Sequence, residues 1–77
     1  MNKIVVASYI SKNMVFKNNQ IIMNIPFDFA PNRLIEIGLT GINQSGAINI
    51  NTGGNAILYI SSESIEKIRF QTSWVTK

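Results

Sequence analysis

Few side chains in this chain can do acid–base or covalent chemistry. The acids are Asp28, Glu36, Glu63 and Glu66. A glycosidase sets two carboxyl groups across a cleft. Glu63 and Glu66 sit close together beside a turn, in a chain too small to offer much cleft, and read as solubilising surface. The 77 residues include no histidine and no cysteine. That excludes Ser–His and Cys–His nucleophile systems, the commonest transition-metal ligand and thiolate zinc sites. Asp28 is a lone acid between two prolines, far short of the six to eight oxygens that calcium prefers. It reads as a cap for backbone amides. Thr52-Gly53-Gly54-Asn55 has the glycines of a phosphate loop but lacks the following Lys-Ser/Thr and a helix. It reads as a tight turn that needs positive φ. The chemistry available is therefore binding: no catalytic residue, cofactor or metal is expected, and the protein is expected not to be an enzyme.

Binding would fall to aromatic and polar side chains. The rings are Tyr9, Phe16, Phe27, Phe29, Tyr59, Phe70 and Trp74. Phe70 and Trp74 share a strand face with Ile68 and read as core or subunit interface. Phe27 and Phe29 flank Asp28 in a loop, suited to plugging the end of a sandwich or a groove between subunits. Tyr59 lies on the Ile57 face and is a candidate stacking platform. The loop residues Asn43 and Gln44, with Ser45, and the outer-row residues Arg69 and Gln71 are the polar candidates for contacting a ligand. The cations Lys3, Lys12, Lys17, Arg33, Lys67, Arg69 and Lys77 are scattered, and no run of them could neutralise consecutive phosphates. A nucleic-acid-binding barrel wants a basic groove interleaved with rings. Lys67 and Arg69 on one strand face give that alternative thin support.

Charged residues make up 14% of the chain, with a net charge of +3, against about a quarter in an average domain. Asn, Ser, Thr and Gln supply the surface instead, which suits contact with neutral sugars. Hydrophobic residues make up 45%, a heavy load for one small domain. So small a fold is marginal alone, and without disulfides or a metal it is expected to gain stability by oligomerising. No stretch reaches the roughly 18 consecutive apolar residues of a membrane span. The opening Met1–Ala7 is too short for a secretory signal, which predicts release by lysis or assembly into a particle inside the cell.

The elements that must position these residues read as strands. Ile4–Ile10 is rich in β-branched and aromatic residues. Strands over 14–17 and 20–25 flank Asn18-Asn19, a hairpin turn because Asn tolerates positive φ. Pro26 to Asn32 is a loop. A strand over 34–39 puts Ile35, Ile37 and Leu39 on one face. Residues 40–46 read as loop, and a strand over 47–51 sets Ile48 and Ile50 against Asn49 and Asn51. The Gly-Gly turn leads into a strand over 56–61, with Ile57 and Tyr59 opposite Leu58 and Ile60. Ser64-Ile65-Glu66-Lys67 gives the only helical signal, a short turn capped by Ser64. From Ile68 the last strand alternates Ile68, Phe70, Thr72 and Trp74 with Arg69, Gln71 and Ser73. Many short strands with frequent turns predict one all-β domain over 1–77, a small antiparallel sandwich of jelly-roll type.

Three segments in order resemble the head domains of bacteriophage receptor-binding tail proteins. Ile25-Pro26-Phe27-Asp28-Phe29-Ala30-Pro31 is similar to their loop of leucine-proline followed by phenylalanine-x-proline. Ile48-Asn49-Ile50-Asn51-Thr52-Gly53-Gly54-Asn55-Ala56 looks like their valine-x-isoleucine-x-threonine-x-glycine-x-valine hairpin. Ile68-Arg69-Phe70-Gln71-Thr72-Ser73-Trp74-Val75-Thr76 looks like their closing strand. The match covers about residues 14–77. The resemblance implies a jelly-roll-like sandwich packed as a homotrimer at the tip of a tail or baseplate protein. It implies recognition of host cell-surface saccharide without cleavage, in the virion and extracellular after release, with neither nucleic acid nor membrane insertion. No stalk or shoulder precedes Met1, so an excised domain or an internal-start product of a larger tail protein is expected. The matched motifs are structural, so no ligand residues carry over. A trimerisation or accessory module of a larger phage protein or lysin is the alternative that the same apolar surplus supports.

Overall fold

The computed structural model describes residues 2–12, 14–39 and 45–77. The chain is all-β and sandwich-like, and every strand pairing in it is antiparallel. The strands are β1 (Ile4–Ile10), β2 (Phe16–Lys17), β3 (Ile21–Asn24), β4 (Ile35–Gly38), β5 (Gly46–Ile50), β6 (Asn55–Ile60), β7 (Ser64–Ile65) and β8 (Arg69–Val75), with a 3-10 turn at Phe27–Phe29 between β3 and β4. One sheet has the order β3-β6-β5-β4. A two-stranded ribbon of β1 and β8 packs against it, and β2 with β7 prolongs that ribbon.

Period two decides which face is buried. In the four-stranded sheet Ile48, Ile50, Ala56 and Leu58 are fully buried and Ile60 nearly so. Their cross-strand partners Ile35 and Ile37 pack on the same cluster. The ribbon contributes Ile68, Phe70 and Trp74, with Val5, Ala7 and Tyr9 beside them. Tyr9 and Phe70 are directly opposed, and their rings stack with centroids 5.6 Å apart. Each such side chain withdrawn from water contributes roughly 1.5–3 kcal/mol. That burial is the main tie between the two sheets, joined by hydrogen bonds such as Ile60 N to Asn18 Oδ1 at 2.9 Å, and no covalent link or charge pair adds to it among the described residues.

The turns form where the residues require them. Asn19 takes φ 69° between β2 and β3, and its amide donates to the Leu58 carbonyl at 2.7 Å. The turn is tight but is not the expected hairpin, because β2 pairs with β7 and β3 with β6, so it carries the chain from one sheet to the other. Gly54 takes φ +93° in the β5–β6 turn. There Asn51 Oδ1 accepts from both Gly53 N and Asn55 N at 3.0 Å, a side chain holding the loop closed.

Two further segments differ from the sequence-based expectation. Ser64 to Lys67 is not a helical turn: Ser64–Ile65 is β7, paired with β2. Hydrogen bonds from Met14 N to Glu66 O (2.9 Å) and Asn18 N to Glu63 O (3.1 Å) carry that ladder along. Pairing with a distant strand outweighs the weak local capping signal. In the proline loop, the 3-10 turn carries no side-chain cap. Asp28 therefore does not serve as its cap. The loop is held instead by Trp74, whose Nε1 donates to the Phe29 carbonyl at 2.7 Å.

Candidate functional site

Strand alternation puts the sequence-derived candidates on two different surfaces. Tyr59, on β6, points away from the core because its neighbours Leu58 and Ile60 point into it; it is 41% exposed. Its cross-strand partner is Ala47, and the partner of Ala47 on β4 is Gly38. Directly opposed residues share a face, so ring, methyl and bare backbone form one row across three strands. A Cβ added at Gly38 would meet nothing within 4 Å. The row is therefore a shelf: a tyrosine ring standing beside a floor of the two smallest residues.

The next row along the same face is Ile57, Asn49 and Glu36. Asn49 alternates with the buried Ile48 and Ile50 and so faces outward. Its Oδ1 is enclosed between neighbours and, among the described residues, has no hydrogen-bond partner. The half-buried Asn49 amide thus lies in the row beside the shelf with its oxygen turned in among its neighbours. Glu36 is exposed and adds a carboxylate. At the other side of Tyr59 a shallow depression of about 360 Å³ is lined by Ser45, Ala47, Tyr59 and Ser61. It adjoins, through Ile60 and Ser61, a larger cleft of about 650 Å³ whose lining includes Lys17, Asn18, Glu63 and Ser64.

Arg69 and Gln71 lie elsewhere. They are exposed on the outer face of the ribbon, where their partners are Ile10 and Ser8, and with them they line a depression of about 410 Å³. The two candidate groups thus face away from the core on opposite sheets. The chain brings Arg69 and Gln71 together, and Tyr59 stands apart from both. Asn43 and Gln44 lie outside the described residues.

Asn49, Glu36 and Gly38 were not singled out from the sequence as ligand contacts. The alternation that set Asn49 opposite Ile48 and Ile50 was visible. The cross-strand register that lays Ala47 and Gly38 beside Tyr59 was not.

The chemistry of this surface is hydrogen bonding and stacking. Among the described residues no three acids lie together in a way that could hold a metal ion. The cations near the chain ends are engaged with rings: Lys77 Nζ lies 3.9 Å from the Phe27 centroid and Lys3 Nζ 5.1 Å from that of Phe29. Such contacts are worth about 0.5–1 kcal/mol at exposed sites. No protein-family model, curated protein or solved structure matches the chain.

Proposed function

We propose that the chain is a non-catalytic head domain that docks on host cell-surface saccharide. It does so as a homotrimer of jelly-roll-like sandwiches at the tip of a bacteriophage tail or baseplate protein. The observation that carries the saccharide is the shelf beside Tyr59. A sugar ring has one apolar face and a rim of hydroxyls. An aromatic ring takes the apolar face, and amide and carboxylate groups take the hydroxyls. Tyr59, the open floor at Ala47 and Gly38, and the flanking Asn49 and Glu36 supply that combination. A single shallow site of this kind binds weakly. Three on one rigid body gain by effective concentration, which is the physical reason for a trimer. The motif order from Ile25 to Thr76 supports the phage parentage.

The test is a glycan array and a cell-adsorption assay on the folded oligomer. Wild type is expected to bind. Gly38→Leu is expected to fold normally, since space is open there, and to lose binding because the side chain fills the shelf. Tyr59→Ala is expected to lose binding with stability unchanged. A folded trimer that recognises no glycan or cell would refute the reading.

A second reading is a structural or trimerisation module of a larger phage protein or lysin. It is favoured by exposed apolar side chains on the ribbon, where Ile4 and Val6 are 77% and 70% exposed. Deletion of the domain would then abolish particle assembly and not adsorption alone.

A further inference from the structure

Backbone pairing on β1 is one-sided. Its register with β8 sets Ile4 against Val75 and runs to Ile10 against Arg69. At the two ends the ladder is fixed by Thr76 N donating to Lys3 O (2.9 Å) and Ser11 N to Ile68 O (3.0 Å). In an antiparallel pair the bonded positions alternate. The odd residues from Lys3 to Ser11 therefore turn their amides and carbonyls toward β8. The even residues Ile4, Val6, Ser8 and Ile10 turn theirs away, and among the described residues no strand meets them. By the same parity Arg69, Gln71 and Ser73 turn theirs to the far edge of β8. The carbonyl of Val75, next in that series, is already taken by Asn32 N at 2.9 Å. That bond independently confirms the parity.

Open edges are normally blunted by charge, proline, bulges or brevity. The four-stranded sheet has these devices: β4 is four residues long and carries Glu36, and β3 is four residues long and bulged between Ile21 and Met23. β1 has none. It is seven residues, Ile-Val-Val-Ala-Ser-Tyr-Ile, without charge, proline or glycine. Three of the four residues whose backbone groups turn outward also carry bare apolar side chains, since Ile4, Val6 and Ile10 are 77, 70 and 68% exposed; the fourth is Ser8.

We infer that the open edge of β1 pairs antiparallel with the open edge of β8 in the next copy of this chain. Three ribbons then close into a six-stranded ring. The inference rests on the homotrimer reading and names its interface. A ribbon with two unlike edges joins head to tail, and such a contact leaves no edge only when the rotation closes. Closure gives both edges partners and turns the ribbon's outer face inward, so that Ile4, Val6, Ile10 and Val75 fill a small ring with Ser8, Gln71 and Ser73 beside them, while Arg69, in the last pair of the ladder, stands at the ring's mouth. Two β1 strands paired with each other would leave the β8 edge bare and the apolar row in water. A second copy is thus the occupant that answers both features.

The experiment uses the full chain. Multi-angle light scattering is expected to give about three times the 8.6 kDa chain mass. Val6→Pro removes an amide that faces only the open edge, a position where proline is tolerated. It is expected to give a folded monomer with native circular dichroism. Ser73→Pro is expected to do the same from the β8 edge. Amide exchange on wild type gives a check without any substitution. Val6 and Ser8 are expected to be protected in the oligomer along with Val5 and Ala7. Unprotected Val6 and Ser8 amides beside protected Val5 and Ala7 would overturn the inference. A wild-type monomer or dimer, or a folded Val6→Pro trimer, would do so as well. A trimer joined at this edge that binds no glycan would refute the head-domain reading and leave the interface standing.

Discussion

Adding one methyl group at Gly54 is expected to be the most damaging single-atom-scale change in the molecule. Gly54 takes φ +93°, and an added Cβ would collide with the carbonyl oxygen of Ile25. Two costs combine. A residue with a Cβ held at positive φ loses about 1–2 kcal/mol. A methyl pressed against backbone, which cannot swing aside as a side chain can, adds about 1–3 kcal/mol. The same contact anchors β3, because Ile25 N donates to Gly54 O at 2.7 Å. Gly54→Ala should therefore cost about 2–5 kcal/mol, out of a total on the order of 4–12 kcal/mol for a chain of this length. Two other glycines serve as internal controls. At Gly53 the nearest atom to a new Cβ is Asn51 Oδ1 at 3.3 Å, and φ is ordinary; at Gly38 the space is open. Gly53→Ala should cost no more than about 1 kcal/mol, and Gly38→Ala should be neutral or stabilising by up to about 1 kcal/mol. The assay is urea unfolding followed by Trp74, the sole tryptophan, at one fixed protein concentration because oligomerisation shifts the midpoint. A Gly54→Ala protein within about 0.5 kcal/mol of wild type would refute the reasoning, since that is the range of an inert surface change. So would equal losses at Gly53 and Gly54.

Leu58→Ala, at a fully buried position, should cost about 2–5 kcal/mol in the same assay. Ser11→Ala should cost about 1–3 kcal/mol, because Ser11 Oγ accepts from Ile68 N at 2.9 Å in a buried position and its loss leaves that amide unpaired. Ser11→Thr, which keeps the hydroxyl, should recover part of that loss. Trp74→Phe removes the donor to Phe29 O and should cost about 0.5–1.5 kcal/mol by thermal melting. Hydrogen exchange at the Phe29 and Ala30 amides should quicken in that variant as the 3-10 turn loosens.

Much of the fold was legible because strand alternation is a local property. Ile48 and Ile50 against Asn49, and Phe70 and Trp74 against Arg69 and Gln71, each state in sequence which face must leave water. The turns were legible for the same kind of reason: Asn19 and Gly54 stand where positive φ is needed. The short β7 was not, because two residues have no period of their own and form a strand only where β2 lies alongside. The candidate surface was half visible. Tyr59 could be put on an outer face from its own strand. Its separation from Arg69 and Gln71 depends on which sheet each strand joins.

By itself the sequence determined an all-β chain with few titratable side chains, no histidine or cysteine, and more apolar surface than one small core consumes. These follow from composition and from the two-residue period, and no distant contact can alter them. Only the tertiary structure decided that Gly38 and Ala47 floor a shelf beside Tyr59. It alone left one edge of the seven-residue β1 without a strand partner among the described residues. Register and strand order come from long-range pairing, where a shift of one residue would turn every side chain to the other face. That information belongs to no single segment, so it emerges only when the strands have met.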